Sequence, residues 1–196
     1  MEFQQRSSPH IHVLSWVKDA PQYEQNASRE IIHCVDKYIT CRNDQSDEMR
    51  ELVNLQTHRH ARTCKKGGHK ICSFSFPLPP VPGSMILEPF KEIHFKEDEL
   101  EEMKNHCDQI KNFLDDMKYG QDIAFETFLE KLKLVEDLYL KAIRNSLKRP
   151  TLFLRRPSFE HRINNYNPNI LKLGELTLVY NLFLVPMPVL FTYSLT

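Results

Sequence analysis

Between residues 96 and 147, apolar residues recur at intervals of three and four positions, and this spacing constrains the fold more than any other feature of the chain. From Lys96 to Lys118 the pattern predicts one long amphipathic helix, which Gly120 ends. The acids of this segment are interpreted as its solvated face. From Ile123 to Leu147 a second helical unit is predicted, with a break near Lys133. Much of the second half of the chain is therefore predicted to be helical.

Shorter elements precede and follow this region. The pattern predicts helices over 27–40 and 46–57, and extended segments over 2–17, 85–90 and 151–155. Prolines between residues 77 and 82 predict a stiff, extended connection. Together these elements predict an α+β fold.

The formal net charge is +0, but the charges are unevenly distributed. Residues 58–72 carry five Lys or Arg and no acid, and residues 141–162 carry seven against the single acid Glu160. Residues 97–117 are strongly acidic. Such local basic blocks indicate surfaces for an anionic partner rather than a uniformly basic binder.

Composition also argues against several classes of protein. The chain contains neither a GxxxxGK[ST] nor a GxGxxG motif, and five glycines leave little material for a loop that cradles a nucleotide, so no nucleotide site is expected. The first residues are polar and the cysteine count of 5 is odd. We therefore expect a nuclear or cytoplasmic protein that is not secreted, with reduced cysteines and no membrane partner.

A group of histidines and cysteines lies between the second predicted helix and the prolines. His58, His60, Cys64 and Cys72 fall within fifteen residues and are of the kind that Zn²⁺ prefers. Their spacing is not that of a C2H2 finger or a zinc ribbon, and His69 or Cys41 could replace one of them. A flexible basic loop with reduced thiols is the alternative. Phe74 and Phe76 follow, and such aromatics can stack on single-stranded bases or anchor the loop to a core.

A second histidine pair lies near the start of the chain. In the extended run from Pro9 to Trp16, His10 and His12 flank Ile11, and alternate side chains of a strand share a face. Two imidazoles on one strand can bind a divalent metal. Two exposed histidines are the simpler interpretation of the same spacing.

Three collinear segments resemble the replication proteins of Helitron transposons. EFQQRSSPHIHVLSWVKDAP (2–21) resembles the segment around their HUH motif, and ELVNLQTHRHARTCKKGGHKICSFSFPLPP (51–80) resembles their His/Cys segment. The third match comprises FETFLEKLKLVEDLYLKAIRNSLKRPTLFLRR (125–156) and RINNYNPNILK (162–172). Ser7 stands where the family usually has glycine.

The resemblance implies an HUH rolling-circle endonuclease region, the Helitron helicase-like domain, which full-length members join to an ATP-dependent DNA helicase. It implies that His10 and His12 bind Mg²⁺ or Mn²⁺ on an antiparallel sheet, and that a tyrosine attacks single-stranded DNA. The same resemblance supports zinc at the four His/Cys positions. It also implies candidate contacts to the DNA backbone at five basic residues: Arg144, Lys148, Arg149, Arg155 and Arg156.

The last segment, 173–196, departs from the family. It carries one charged residue, Glu175, where the family leads through an AWRAN-like stretch to its catalytic tyrosines. A one-base change of frame, with suitable codons, converts Leu173–Thr177 to Ala-Trp-Arg-Ala-Asn. It also converts Pro186–Ser194 to a PYACAIYIF stretch. On this hypothesis Tyr180 and Tyr193 are not nucleophiles, and the tail is irregular. A short membrane anchor is the competing interpretation.

We therefore predict a partial HUH-type antiparallel sheet with helical insertions, a His/Cys loop and an irregular C-terminal tail. Four segments are expected: 1–57 with the HUH strand, 58–83 with the His/Cys loop, the helical 84–172, and the tail 173–196. The family's preceding sheet strand and its helicase are expected to be missing. The chain is predicted to be a truncated Helitron-like protein that has lost nicking activity. A zinc-stabilised, non-catalytic nucleic-acid-binding or interaction remnant, or a nonfunctional reading frame, are the alternatives.

Overall fold

The computed structural model describes residues 2–3, 9–43, 46–61, 64, 72–90, 95–118, 121–173, 178–183 and 190–195, with side chains only between 17 and 172. Helices and antiparallel strands occur together, which confirms the α+β class. The HUH-type arrangement of the sheet stays a prediction.

The elements up to Phe153 are close to those predicted from the sequence, and those after it were not predicted. The strands are β1 (Glu2–Phe3), β2 (Pro9–Trp16), β3 (Met85–Leu87), β4 (Thr151–Phe153), β5 (Leu178–Phe183) and β6 (Leu190–Leu195). The helices are α1 (Ser28–Tyr38), α2 (Asp47–Leu55), α3 (Glu97–Asp116), α4 (Phe125–Leu132), α5 (Glu136–Asn145) and α6 (Pro168–Leu173).

The chain divides into two compact units, of which one comprises Met1–His58 and Ile163–Thr196 and the other Arg59–Arg162. The predicted segment 84–172 therefore contributes to both units. The reason is that the chain returns at Ile163, which bridges to Thr57, and at Tyr166, which bridges to Thr40.

The first unit contains a four-stranded antiparallel sheet in the order β1-β2-β6-β5. Strand β2 lies inside this sheet, because β1 pairs with one of its edges and β6 with the other. Strands β5 and β6 belong to the segment that we expected to be irregular, and that part of the fold prediction is wrong. Leucine, valine and aromatic residues dominate this segment, and such residues favour paired strands.

Helices α1, α2 and α6 complete the first unit. Ser46 caps α2 by accepting a hydrogen bond from the Met49 amide, as the sequence predicts for an N-cap serine. At α6, the Asn167 side chain accepts from the amides of Asn169 and Ile170, and Pro168 occupies the first helical position. The buried side chains of these helices include Ile31, Val35, Met49, Val53 and Leu171.

The second unit is built around the helical region that the periodicity predicts. Helix α3 packs against α4 and α5, and buried residues from all three helices form one apolar core. The predicted break lies at Lys133, whose positive φ of 56° ends α4 in the left-handed conformation. Strands β3 and β4 pair antiparallel beside this core, with Ile86 opposite Leu152.

Candidate metal centre

Two histidines and two cysteines of the His/Cys loop converge in the structure. One ligand atom from each of His58, His60, Cys64 and Cys72 lies within 4.8 Å of every other. These are the four residues that the spacing singled out. The group could therefore hold a metal ion, as the sequence predicted. Cys41 is buried and does not belong to the group, and His69 lies outside the described residues.

The two thiols form the inner side of this centre. Cys64 and Cys72 are 1% and 5% exposed, and they pack with Phe76 and Leu78, whereas His58 and His60 are half-buried. Phe76 therefore anchors the loop to a core, while Phe74 remains 53% exposed. All five cysteines lie within the described residues, and no disulfide joins them.

Backbone hydrogen bonds shape the loop around the sulfur of Cys64. The Ala61 amide lies 3.2 Å from the Cys64 Sγ and can donate to it. The Cys64 thiol in turn donates to the Ala61 carbonyl at 3.2 Å. The Cys64 carbonyl accepts from the Ser73 amide at 2.8 Å, which ties the two cysteine segments together.

The donor set and its dimensions fit Zn²⁺. In a tetrahedral zinc site with two nitrogen and two sulfur ligands, the ligand atoms are about 3.3–3.8 Å apart. The Cys64 Sγ to His60 Nδ1 distance is 3.6 Å, which already lies in this range. The longest separation, at most 4.8 Å, requires a contraction of only about 1 Å.

A polar network adjoins His60 on the side away from the cysteines. His60 Nε2 lies 3.1 Å from the Asp115 Oδ1 at the end of α3, and Arg162 donates to the same oxygen at 2.9 Å. Arg162 Nε also donates to the His161 Nε2 at 3.2 Å, and His161 Nδ1 donates to the Ser158 carbonyl at 2.7 Å. This contact between α3 and the loop was missed in the sequence, where the acids of α3 were assigned to a solvated face.

Burial lowers the pKa of His161 below its ordinary value of 6.5, and the charges of Arg162 and Arg156 lower it further, against the opposing hydrogen bond to Ser158. As the pH falls below about 6.5, the unfolded chain takes up a proton at this residue before the folded chain does. We therefore expect the free energy of unfolding to fall with pH in this range. Chemical denaturation at a series of pH values measures this effect.

The His161→Gln variant is the control for this pH dependence, because it lacks the titrating ring and keeps every other group, including the candidate metal ligands. The decrease in stability between neutral pH and pH values below 6.5 should be smaller in the variant than in the wild type. If the free energy of unfolding falls equally with pH in both proteins, His161 is not the source of the pH dependence.

The histidines of the other predicted metal pair lie on a strand, as expected. His10 and His12 are two positions apart on β2, opposite Glu2 and Ser194 respectively. Their side chains are outside the part of the chain that the structure describes, so binding of Mg²⁺ or Mn²⁺ stays a prediction. Tyr193 pairs with Val13 on one side and with Tyr180 on the other.

The five predicted DNA contacts differ in their surroundings. Lys148, Arg149 and Arg155 are exposed, and their role stays a prediction. Arg144 is half-buried, with its guanidinium 4.3 Å from the centre of the Phe90 ring and its Nε donating to the Glu88 carbonyl. Arg156 is 4% exposed and donates to the Glu160 carbonyl at 2.6 Å. Because its side chain is shielded from solvent, we remove Arg156 from the candidate DNA interface.

The fold and site define an α+β protein with a candidate His₂Cys₂ metal centre. Comparisons with protein-family models, with curated proteins and with solved structures found no match for the chain. Among the described residues, no helix combines the length and apolar content needed to cross a bilayer. The resemblance to Helitron proteins depends on the sequence motifs alone and remains a prediction.

Proposed function

We propose that the chain is a Helitron replicase-like protein whose His/Cys loop binds a structural Zn²⁺, and that it binds single-stranded DNA without cutting it. The convergence of His58, His60, Cys64 and Cys72 is the observation that carries the proposal. Zinc would hold the loop in a fixed shape where the chain has few apolar residues of its own to do so. The three motif matches supply the link to DNA.

The exposed basic residues after α5 support single-stranded DNA as the partner. Lys148, Arg149 and Arg155 are exposed within the segment that matches the third Helitron motif. Phosphate contacts from such residues supply affinity that falls with salt. Tyr180 and Tyr193 do not occur in the family's catalytic motif, so binding without cleavage is the expected outcome.

Zinc content and DNA binding of the purified chain test this proposal together. We expect one zinc per chain by native mass spectrometry. Fluorescence anisotropy should detect binding to a labelled single strand that weakens when zinc is removed. Incubation of the same strand with Mn²⁺ should leave it intact. Cleavage that requires Mn²⁺ and is lost in His10→Ala would instead show a nicking enzyme.

The Lys148→Ala variant tests the DNA interface, with Lys104→Ala as its control. Both lysines are exposed in the second unit, but Lys104 lies in the acidic helix α3. The plot of log affinity against log salt concentration has a negative slope, and loss of one phosphate contact to a single strand should make it less steep by about 0.7. An unchanged slope in Lys148→Ala, or an equal change in Lys104→Ala, would contradict a role for Lys148.

A further inference from the structure

The side chain of His60 lies between a cysteine sulfur and a carboxylate. Its Nδ1 is 3.6 Å from the Cys64 Sγ, and its Nε2 is 3.1 Å from the Asp115 Oδ1. The two ring nitrogens thus face different partners, one inside the candidate metal centre and the other on helix α3.

Asp115 determines which nitrogen of His60 is available to a metal. An ionised carboxylate can only accept hydrogen bonds, so the neutral His60 ring must carry its hydrogen on Nε2. The lone pair is then on Nδ1, the atom that faces Cys64. A metal-binding histidine commonly donates its other N–H to a carboxylate, which fixes the ring and increases the basicity of the ligand.

Asp115 is itself held in place by Arg162. The Arg162 Nη2 donates to the Asp115 Oδ1 at 2.9 Å, and its Nε donates to the His161 Nε2. His161 is 2% exposed and is oriented by its own hydrogen bond to the Ser158 carbonyl. The donor and the acceptor of each hydrogen bond in this series are fixed, because the Ser158 carbonyl can only accept and the Arg162 guanidinium can only donate.

We propose that Asp115 is a positioning residue of the metal centre, which fixes His60 as an Nδ1 ligand, and that Arg162 holds Asp115 for this role. The inference rests on the proposed function, since it requires that the loop bind zinc. It adds to that function a residue from helix α3, more than forty positions from Cys72, the nearest cysteine of the metal group in the sequence. The helix thereby contributes to metal affinity without supplying a ligand.

Zinc affinity in Asp115→Asn is the first test, with Asp116→Asn as the matched control. The two acids are adjacent, both are exposed and the substitutions change the charge equally, but Asp116 is not part of the network. Competition with a chromophoric chelator should show about 10–100-fold weaker zinc binding in Asp115→Asn. Asp116→Asn should bind zinc as the wild type does, and Asp115→Glu should recover part of the affinity.

The coordinating nitrogen of His60 provides a second test that needs no change at Asp115. In the zinc-bound wild type, ¹⁵N NMR of the histidine side chains should show His60 coordinated through Nδ1 and protonated at Nε2. His60→Ala assigns the signal. A purely structural ion pair between α3 and the loop would not select this nitrogen.

The outcomes separate this inference from the proposed function. Coordination of His60 through Nε2, or wild-type zinc affinity in Asp115→Asn, would overturn the positioning role and leave the zinc site standing. A wild-type chain that binds no zinc would overturn both. If Asp115→Asn proves unfolded by circular dichroism, the NMR result on the wild type decides the inference.

Discussion

Cys64→Ser is expected to weaken zinc binding by about 10²–10³-fold. The Cys64 sulfur is buried, lies 3.6 Å from the His60 Nδ1 and is within hydrogen-bond distance of the Ala61 amide. Apparent binding energies of structural zinc sites are about 10–16 kcal/mol. Divided over four ligands, this is about 2.5–4 kcal/mol each, or on the order of 10²–10³ in affinity. Native mass spectrometry and chelator competition measure the loss.

The same substitution should also lower stability in the presence of zinc. Because an ion that binds only the folded state stabilises it by mass action, removal of a ligand removes that contribution. The wild-type melting temperature should fall after treatment with a chelator and recover when zinc is returned. In Cys64→Ser both changes should be smaller.

Cys34→Ser is the control, because Cys34 is a half-buried cysteine of α1 that does not belong to the metal group. It should bind one zinc with wild-type affinity. Wild-type zinc affinity in Cys64→Ser would contradict a role for Cys64 as a metal ligand. The alternative of a basic loop with reduced thiols would then be the better description.

Local sequence signals predicted the helices of this protein well. The helix predicted over 96–118 corresponds to α3, and the predicted break near Lys133 separates α4 from α5. These elements follow from periodicity and capping, which act within one or two helical turns. The sequence also singled out the four residues that converge as a possible metal group, because they are close together in the chain.

Contacts between residues far apart in the sequence could not be predicted from local patterns. Asp115 was assigned to a solvated face, and it is exposed, but its contacts with His60 and Arg162, 55 and 47 positions away, were not predicted. One signal was present: Asp115 and Asp116 end a helix, where negative charge is unfavourable against the helix dipole. A cationic partner offsets this, but the sequence does not say which of the two acids has one.

The predicted surface role of Arg156 failed for a related reason. Basic residues cluster in 141–162, and charge alone does not distinguish a solvated arginine from one that satisfies buried carbonyls. The bridge between Val81 and Arg156 buries this residue beside the proline-rich connection. That pairing joins residues 75 positions apart, and no pattern in the local sequence predicts it.

Phe128→Ala should have the largest effect on the core of the second unit. Phe128 is 0% exposed, and its ring centre lies 5.4 Å from that of Phe113 and 5.9 Å from that of Tyr139, both edge-to-face. Truncation removes these contacts and leaves a cavity, at a cost of about 3–5 kcal/mol. Since the free energy of unfolding of a small domain is only about 5–15 kcal/mol, the substitution would remove much of it. Urea denaturation of the zinc-saturated protein, followed by far-ultraviolet circular dichroism, measures this cost.

Phe74→Ala is the matched control for Phe128, because the same side chain is removed from a position that is 53% exposed. Phe74→Ala should change the free energy of unfolding by no more than about 0.5 kcal/mol, as is usual for a surface position. Phe128→Leu should fall between the two, since leucine fills part of the space. If Phe128→Ala were as stable as Phe74→Ala, helices α3, α4 and α5 could not share the core described for them, because no well-packed core loses a buried ring without cost. Retained zinc binding in an unstable Phe128→Ala variant would further show that the loop holds its metal without support from this core.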